Sequence, residues 1–254
     1  MLQRWPERLY IVRHGESAGN VARNAAHAAR ATHIQLNHRD VAVPLSDLGH
    51  RQAVALGHWF ARMGPHARPD VLLVSPYWRA QQTARHIVDV GGLTPGAAQP
   101  AADERLREKE FGVLDHLTRW GIERDFPEQA KLRAELGKFY HRPPGGESWC
   151  DVILRLRSAL DTISMHHGGR RVLVVGHQVV VLCLRYLLEN LDEDGILAID
   201  RESDLANCSV TEYAFDPGRS STGGLVLERY NFTAPMEQEG ATVTAAPDVP
   251  ATTQ

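Results

Sequence analysis

Three loops of the sequence each join a short apolar run to a cationic or imidazole side chain and then to the start of a helix. They are Val12-Arg13-His14-Gly15, Val74-Ser75-Pro76-Tyr77-Trp78-Arg79 and Val175-Gly176-His177-Gln178. Loops at the carboxyl ends of parallel strands meet at one edge of a sheet, so we expect two arginines and two histidines to converge there. Guanidinium groups and helix N-termini both favour a bound phosphate group. This edge is therefore predicted to be a phosphate site.

The same side chains suit phosphoryl transfer. Neighbouring arginines disfavour the protonated form of a histidine, so we expect a neutral, nucleophilic imidazole that attacks phosphorus. The second imidazole and the guanidinium groups would stabilise the charge on the equatorial oxygens. A proton donor is still needed, and the charged loop 106–112 offers carboxylates whose pKa a bound phosphate would raise.

Four motifs, in order along the chain, resemble those of the histidine phosphatase superfamily, the phosphoglycerate-mutase-like proteins. They are Arg13-His14-Gly15-Glu16-Ser17 with Asn20, Ser75-Pro76-Tyr77-Trp78-Arg79-Ala80 with Thr83, Leu106-Arg107-Glu108 with Phe111-Gly112, and Gly176-His177. The resemblance implies that His14 is the nucleophile and Glu108 the proton donor. It also implies a phosphate pocket formed by Arg13, Arg79 and His177, with Asn20 and Gln178 at its margin.

A closer likeness, between residues 126 and 183, is to the bisphosphatase half of the bifunctional fructose-2,6-bisphosphate enzymes. It depends on Phe126-Pro127-Glu128, Leu132-Arg133, Gly146-Glu147-Ser148, Leu154-Arg155-Leu156 and His177-Gln178. This likeness implies that Arg133 and Lys138 hold a distal phosphate of the substrate; the alternative is that both are exposed helix charges. Arg119, Trp149 and Leu182 stand where that family has two tyrosines and an arginine, which argues against this exact substrate.

The elements that must position these loops follow from the apolar pattern. Short buried strands are predicted at 9–12, 71–74 and 171–175, and two final strands at 209–215 and 225–230. Helices are predicted after the N-cap Ser46, over 77–90, after the loop that ends at Ser148, and over 179–188. The alternation predicts a three-layer α/β/α domain over 1–232, with a mainly parallel sheet and helices on both faces.

Two remaining regions are less regular. Residues 20–40 are predicted to be a helix followed by irregular chain, and the charged stretch 103–112 to be irregular. From about Thr233 the composition shifts to Ala, Thr, Pro and Glu. Such a segment buries little apolar surface, so 233–254 is predicted to be a flexible C-terminal tail.

The composition limits the class of protein. The 254 residues carry 28 basic and 31 acidic side chains, a net charge of −3, which argues against a nucleic-acid partner. Three separated cysteines suit a reducing compartment, and neither a membrane-length apolar run nor a signal-peptide pattern is visible. We therefore expect a cytoplasmic protein with no membrane partner. The Cys and His spacing does not resemble a zinc site, so neither a metal nor a cofactor is expected.

The leading functional hypothesis is a metal-independent phosphatase that hydrolyses small phosphate monoesters, either sugar phosphates or phospho-acids, through a phosphohistidine. Two alternatives stay open: a phosphoglycerate-mutase-type phosphoryl transfer, and a non-catalytic member of the fold that binds phosphorylated ligands. Mutases of this type carry a longer segment with paired arginines after the acid, so the short segment here favours hydrolysis. The expected partner is a small phosphorylated metabolite, and a homodimer could form through a sheet edge near 209–215.

Overall fold

The computed structural model describes residues 3–93 and 101–245, and its backbone is organised around one six-stranded sheet. The strands are β1 (Arg8–Arg13), β2 (Val71–Val74), β3 (Ala101–Ala102), β4 (Arg171–Gly176), β5 (Val210–Asp216) and β6 (Gly224–Phe232). The helices are α1 (Ala18–Ala28), α2 (Asp47–Arg62), α3 (Trp78–Gly91), α4 (Arg119–Asp125), α5 (Pro127–Tyr140), α6 (Trp149–His166), α7 (Gln178–Glu189), α8 (Glu193–Glu202) and α9 (Ala234–Gln238).

The strand order is β3-β2-β4-β1-β5-β6, with β1 to β4 parallel and the last two strands antiparallel. Val12 of β1 and Val74 of β2 are both in register with Val175 of β4, which lies between them. Because these three strands end at the same level, the loops that follow them lie side by side. The convergence predicted from the sequence is confirmed at the level of the backbone.

Alternating residues of β1 show why the sheet is covered on both faces. Leu9 and Ile11 are fully buried in a cluster with residues of α6 and α7. Tyr10 and Val12 point the other way, into a second cluster with residues of α2 and α3. Successive side chains of a strand face opposite sides, so a continuous apolar run requires a helical layer on each. The predicted three-layer α/β/α architecture is confirmed.

Two predicted helix starts have the expected caps. The Ser46 hydroxyl accepts a hydrogen bond from the Gly49 amide at 3.0 Å, and α2 begins at the next residue. Ser148 and Asp151 form a reciprocal capping box at the start of α6. These local signals fix where both helices enter the domain.

Helices α5 and α8 were not predicted. In α5 the apolar residues Leu132 and Leu136 are exposed, so the sequence lacks the apolar stripe that indicates an amphipathic helix. Pro127 at its first turn is compatible with a helix start, but a lone proline does not distinguish a helix from a turn. Both Arg133 and Lys138 lie on this helix.

The prediction of a flexible tail beginning at residue 233 is wrong for residues 233–245. Helix α9 packs on α2, and Met236 is fully buried in the cluster beneath that helix. Farther along, Thr244 is hydrogen bonded to Asn207 and Gln52. Pro235 and Met236 are both buried, and with these hydrogen bonds they anchor a segment whose average composition indicated otherwise. Residues 246–254 lie outside the described residues.

The expected sheet edge near 209–215 is also wrong. Strand β5 pairs with β1 on one side and with β6 on the other, so it lies inside the sheet. Among the described residues, β6 is the last strand on that side. Strands β5 and β6 form a hairpin, and the sequence pattern did not indicate which of the two lies at the edge of the sheet.

Candidate active site

His14 follows β1 directly and has a fixed ring orientation. The residue is fully buried, and its backbone amide donates to the Gly176 carbonyl at 2.9 Å. Its ring Nδ1 lies 2.7 Å from the Gly15 carbonyl oxygen, which can only accept, so Nδ1 carries the hydrogen. The Nε2 lone pair is thereby directed away from the backbone. This tautomer is the one that a histidine nucleophile attacking through Nε2 requires.

The loop after His14 is held by close backbone packing. A Cβ on Gly15 would lie 2.6 Å from the Gly49 carbonyl oxygen, so only glycine fits without displacing the start of α2. The Gly15 amide donates to the Thr83 hydroxyl of α3 at 3.0 Å. The loop is therefore fixed between the first turn of α2 and the second turn of α3.

Arg79 lies in the first turn of α3 and is almost completely buried. Its Nε donates to Nε2 of His14 at 3.2 Å, which is consistent with a lone pair on that ring nitrogen. Its terminal nitrogens contact Asp40, from the segment between α1 and α2. A guanidinium group is thus in direct contact with the candidate nucleophilic atom.

His177 is the N-cap residue of α7 and is also fully buried. Its ring centroid lies 5.1 Å from that of His14. On one side the His177 Nε2 lies 2.7 Å from the Ser75 hydroxyl, and on the other Nδ1 lies 3.6 Å from Oε2 of Glu108. The second imidazole is therefore held between a hydroxyl group and a carboxylate.

Glu108 is a buried carboxylate on the segment that precedes α4. Its Oε1 accepts a hydrogen bond from the Lys109 amide at 2.7 Å. Two further side chains support this segment. Arg155 of α6 donates to the Glu108 carbonyl at 3.2 Å and forms an ion pair with Glu147. The Glu147 carboxylate also accepts a hydrogen bond from the Glu110 amide. The motifs around Glu147 and Arg155 thus hold the carboxylate segment in place.

Gly112, at the end of the carboxylate segment, packs closely against the loop that precedes α6. Gly112 has φ +56°, and a Cβ there would lie 2.1 Å from the Pro144 carbonyl oxygen. The 112 position therefore requires glycine both for its backbone conformation and for the close approach of the loop 143–146.

Arg13 and Asn20 lie beside the nucleophile loop. Arg13, the last residue of β1, is fully buried and donates to the Leu205 carbonyl. The Asn20 side chain completes the N-terminal capping box of α1 with Ser17. Because α1, α3 and α7 all begin at this edge of the sheet, their positive dipole ends surround the two imidazoles.

A cleft with about 530 Å³ of empty space opens at this edge. It is lined by Asn20, Arg79 and Glu108 among the predicted residues, and by Arg23, Asp40 and Asp115 among those that sequence reasoning missed. The signal for Arg23 was available, because it follows Asn20 by three residues and so lies on the same face of α1. No comparable local pattern marked Asp40.

A fourth missed residue, Asn207, contacts the backbone of the nucleophile. This asparagine is buried, and its side-chain amide donates to the His14 carbonyl at 3.1 Å. It also accepts from the Thr244 hydroxyl, which links the C-terminal segment to the nucleophile loop.

The other predicted binding residues lie farther from the nucleophile. Gln178 is the first residue of α7, next to His177, and its side chain is hydrogen bonded to Asp204. On α5, Lys138 pairs with Asp200, and its Nζ lies 5.3 Å from the centre of the Trp149 ring.

Arg133 belongs to a basic cluster that surrounds Lys109. Burial and the nearby Arg133 charge lower the pKa of Lys109 to about 8. Burial also lowers the pKa of Arg133, and burial with the charges of Arg133 and Lys109 lowers that of His141. Because Lys109 adjoins Glu108 in the chain, this cluster lies beside the carboxylate segment. An anion bound here would reduce the repulsion between the positive charges of this cluster. Whether Arg133 and Lys138 bind substrate stays a prediction.

The described part of the chain has neither a metal-binding cluster nor a membrane-spanning helix. Over residues 3–93 and 101–245, no group of three or more His, Cys, Asp or Glu side chains is arranged to hold a metal ion. None of the described helices is both long and apolar enough to cross a bilayer.

The fold and the buried pair of histidines define a class of protein that transfers phosphoryl groups. Residues 9–227 match the model of the histidine phosphatase superfamily (branch 1), and the chain belongs to this family. Members of the superfamily, among them a relative named as a probable mutase, are enzymes, and so is this protein.

Individual relatives have names of two kinds. The chain is 29% identical over 231 residues to a probable phosphoglycerate mutase, GpmB, of Yersinia pestis, covering 90% of this chain and 94% of the relative. The solved structure of mycobacterial hydrolase 1 is 27% identical, with a TM-score of 0.68 over 89% of this chain and 99% of that one. A mycobacterial glucosyl-3-phosphoglycerate phosphatase with inorganic phosphate is 24% identical, with a TM-score of 0.66 over 90% and 99%, and shows the shared fold. The closer likeness to fructose-2,6-bisphosphatases stays a prediction.

Proposed function

We propose that this enzyme hydrolyses small phosphate monoesters, either sugar phosphates or phospho-acids, through a phosphohistidine on His14 and without a metal ion or cofactor. The observation that carries the proposal is the environment of the His14 ring. Nδ1 is bound to the Gly15 carbonyl, and Nε2 faces the Arg79 guanidinium in a buried site. A neutral imidazole with a fixed lone pair beside a cation is suited to attack phosphorus in an anionic ester.

In the first step, Nε2 of His14 forms a bond to phosphorus while the bond to the ester oxygen breaks. Arg13, Arg79 and His177 stabilise the charge on the equatorial oxygens. Glu108, as a carboxylic acid, gives its proton to the departing oxygen, so the alcohol leaves neutral. The burial of Glu108 and its position 3.6 Å from His177 support this role.

In the second step, water attacks the phosphohistidine. The Glu108 carboxylate left by the first step takes the proton of the water as the oxygen bonds to phosphorus. The nitrogen–phosphorus bond breaks, and inorganic phosphate leaves. Each turnover therefore restores both the His14 lone pair and the Glu108 proton.

The first experiment is release of p-nitrophenol from p-nitrophenyl phosphate, with and without EDTA. We expect turnover that EDTA does not change, and a loss of at least about a thousandfold in His14→Ala. His58→Ala, an exposed histidine of α2, is the matched control and should keep wild-type activity. An acid quench with ³²P-labelled substrate should trap an acid-labile adduct in the wild type but not in His14→Ala. Unchanged turnover in His14→Ala would show that the assigned nucleophile is wrong.

The mutase alternative is favoured by the name of the Yersinia relative. The same nucleophile and acid would serve, but the phosphoryl group would return to the bound product instead of passing to water. Incubation of 3-phosphoglycerate with catalytic 2,3-bisphosphoglycerate separates the two reactions. Release of phosphate without the bisphosphate supports hydrolysis, whereas bisphosphate-dependent isomerisation supports the mutase. A non-catalytic binding protein would show neither.

A homodimer stays a prediction, and we propose that it would pair through β6, the last described strand on that side of the sheet. An edge strand presents backbone groups that a second copy can pair with. Sedimentation equilibrium of the purified chain measures this directly, and a single species with the mass of one chain would contradict it.

A further inference from the structure

Arg79 is held by a carboxylate that lies outside every motif of the sequence. Asp40 begins a short 3₁₀ turn, Asp40–Ala42, in the segment that connects α1 to α2. Its Oδ1 accepts from Nη1 of Arg79 at 2.9 Å and its Oδ2 from Nη2 at 3.3 Å. The Asp40 backbone carbonyl also accepts from Nη1, at 2.8 Å. Three acceptors of one residue therefore grip the end of the guanidinium group.

The planar shape of the guanidinium group determines which of its N–H groups can face the substrate. A planar guanidinium has two edges that can each bind an anion with two parallel N–H groups. Asp40 occupies the end edge, formed by Nη1 and Nη2. The side edge includes Nε, which donates to Nε2 of His14 at 3.2 Å. Attack on phosphorus uses that same Nε2 lone pair, so the Nε–H of Arg79 leaves His14 and donates instead to an oxygen of the phosphoryl group that arrives at the side edge.

The burial of the Arg79 side chain explains why this cation needs the Asp40 carboxylate. The Arg79 side chain is only 5% exposed, and its Cζ lies 4.8 Å from the centre of the Tyr77 ring. A buried guanidinium needs a compensating anion even when no phosphate is bound. Asp40, whose side chain is 32% exposed, supplies that anion, and both partners line the cleft. The buried cation is thus paired and aligned before substrate arrives.

We propose that Asp40 is a positioning residue for phosphoryl transfer: it clamps the terminal nitrogens of Arg79 so that the Nε edge is aimed at the phosphoryl group leaving the ester for His14. This inference depends on the proposed function. It predicts that loss of the clamp lowers the rate of the chemical step more than it weakens binding of the substrate. The opposite role, a carboxylate that competes with phosphate for Arg79, predicts the reverse.

The test compares Asp40→Asn and Asp40→Glu with the wild type, using p-nitrophenyl phosphate as substrate. For Asp40→Asn we expect kcat to fall about 10- to 100-fold, and inhibition by vanadate should weaken by a similar factor. The KM and the inhibition constant of inorganic phosphate should each change less than about threefold. Asp40→Glu keeps a carboxylate that can grip the same nitrogens, so it should retain more of kcat than Asp40→Asn. Asp125→Asn is the matched control, because Asp125 forms a similar two-contact pair with Arg124 at the surface.

Three results would overturn the inference. A lower KM and tighter phosphate inhibition at unchanged kcat in Asp40→Asn would show competition. Wild-type kinetics in Asp40→Asn would show that the clamp has no role. Equal losses in both variants, with a lower melting temperature in each, would show a purely structural role. An inactive wild type would instead overturn the proposed function and this inference together, so the two failures are distinguishable.

Discussion

The Ser75 hydroxyl lies 2.7 Å from Nε2 of His177, at the level where β2 and β4 end side by side. The Ser75 amide donates to the Val175 carbonyl at 3.0 Å, so the two strands are joined just before their loops diverge. On the opposite side of the ring, Nδ1 lies 3.6 Å from Oε2 of Glu108, so the hydroxyl and the carboxylate flank the imidazole of His177. Its orientation toward His14 is therefore set by two other loops.

Ser75→Ala should lower kcat about tenfold with little change in KM, because the hydroxyl orients His177 without itself reaching the reacting atoms. The measurement is steady-state hydrolysis of p-nitrophenyl phosphate. Ser221→Ala, in an exposed loop, serves as the control. Equal kcat values for Ser75→Ala and wild type would mean that the contact does not orient the ring.

Arg79→Lys should lower kcat/KM by about 100- to 1000-fold. Lysine keeps the charge but loses the planar group that contacts His14 and Asp40 at once. Arg85→Lys, an exposed arginine of the same helix, is the control. Near-normal kinetics in Arg79→Lys would show that charge alone is sufficient.

Lys109→Met should raise the free energy of unfolding at pH 7 by about 2–3 kcal/mol. The folded pKa of Lys109 is about 8, below its ordinary value of 10.5, and the residue is only 5% exposed. Below pH 8 both states bind the proton, and the folded state bears the full cost of a buried charge. From pH 8 to about 10.5 the folded state releases the proton first, so wild-type stability rises relative to the variant.

Urea denaturation at pH 7, 9 and 10.5 measures this difference, with the exposed Lys131→Met as the control. The gap between Lys109→Met and the wild type should narrow as the pH rises. A gap that stays constant would mean that the buried amine is not the titrating group.

Met236→Ala should cost about 2–4 kcal/mol of unfolding free energy, because its side chain is fully buried between α9 and the sheet. Met165→Ala is the matched control, since that methionine is 66% exposed. Thermal or urea unfolding distinguishes them. If both variants matched the wild type, the segment 233–245 would not belong to the core.

The fold was predictable where residues of one type recur at a fixed interval. The valine-rich strands at 71–74 and 171–175 and the capped helices after Ser46 and Ser148 carry their own local signals. Helix α5 does not, because its leucines face solvent. Met236 illustrates another limit, since one side chain in a polar segment became buried only through packing on α2.

The candidate site divides in the same way. His14, Arg79 and His177 were placed by the strands that precede them, because parallel strands bring their carboxyl ends together. Asp40 and Asn207 were missed because neither follows a strand of the parallel part of the sheet, and each acts through a contact with a residue distant in sequence. Such partners are visible only once the chain is folded.

The two histidines, at positions 14 and 177 of the 254-residue chain, are far apart in the sequence, and adjacent strands bring them together. Helical structure can return early in refolding because its contacts are local, whereas the pairing of β1 with β4 has to close a loop of most of the domain. Recovery of catalytic turnover after dilution from urea should consequently lag behind recovery of the helical circular dichroism signal. The recovery of enzyme activity would then report the rate of the last long-range pairing step in folding.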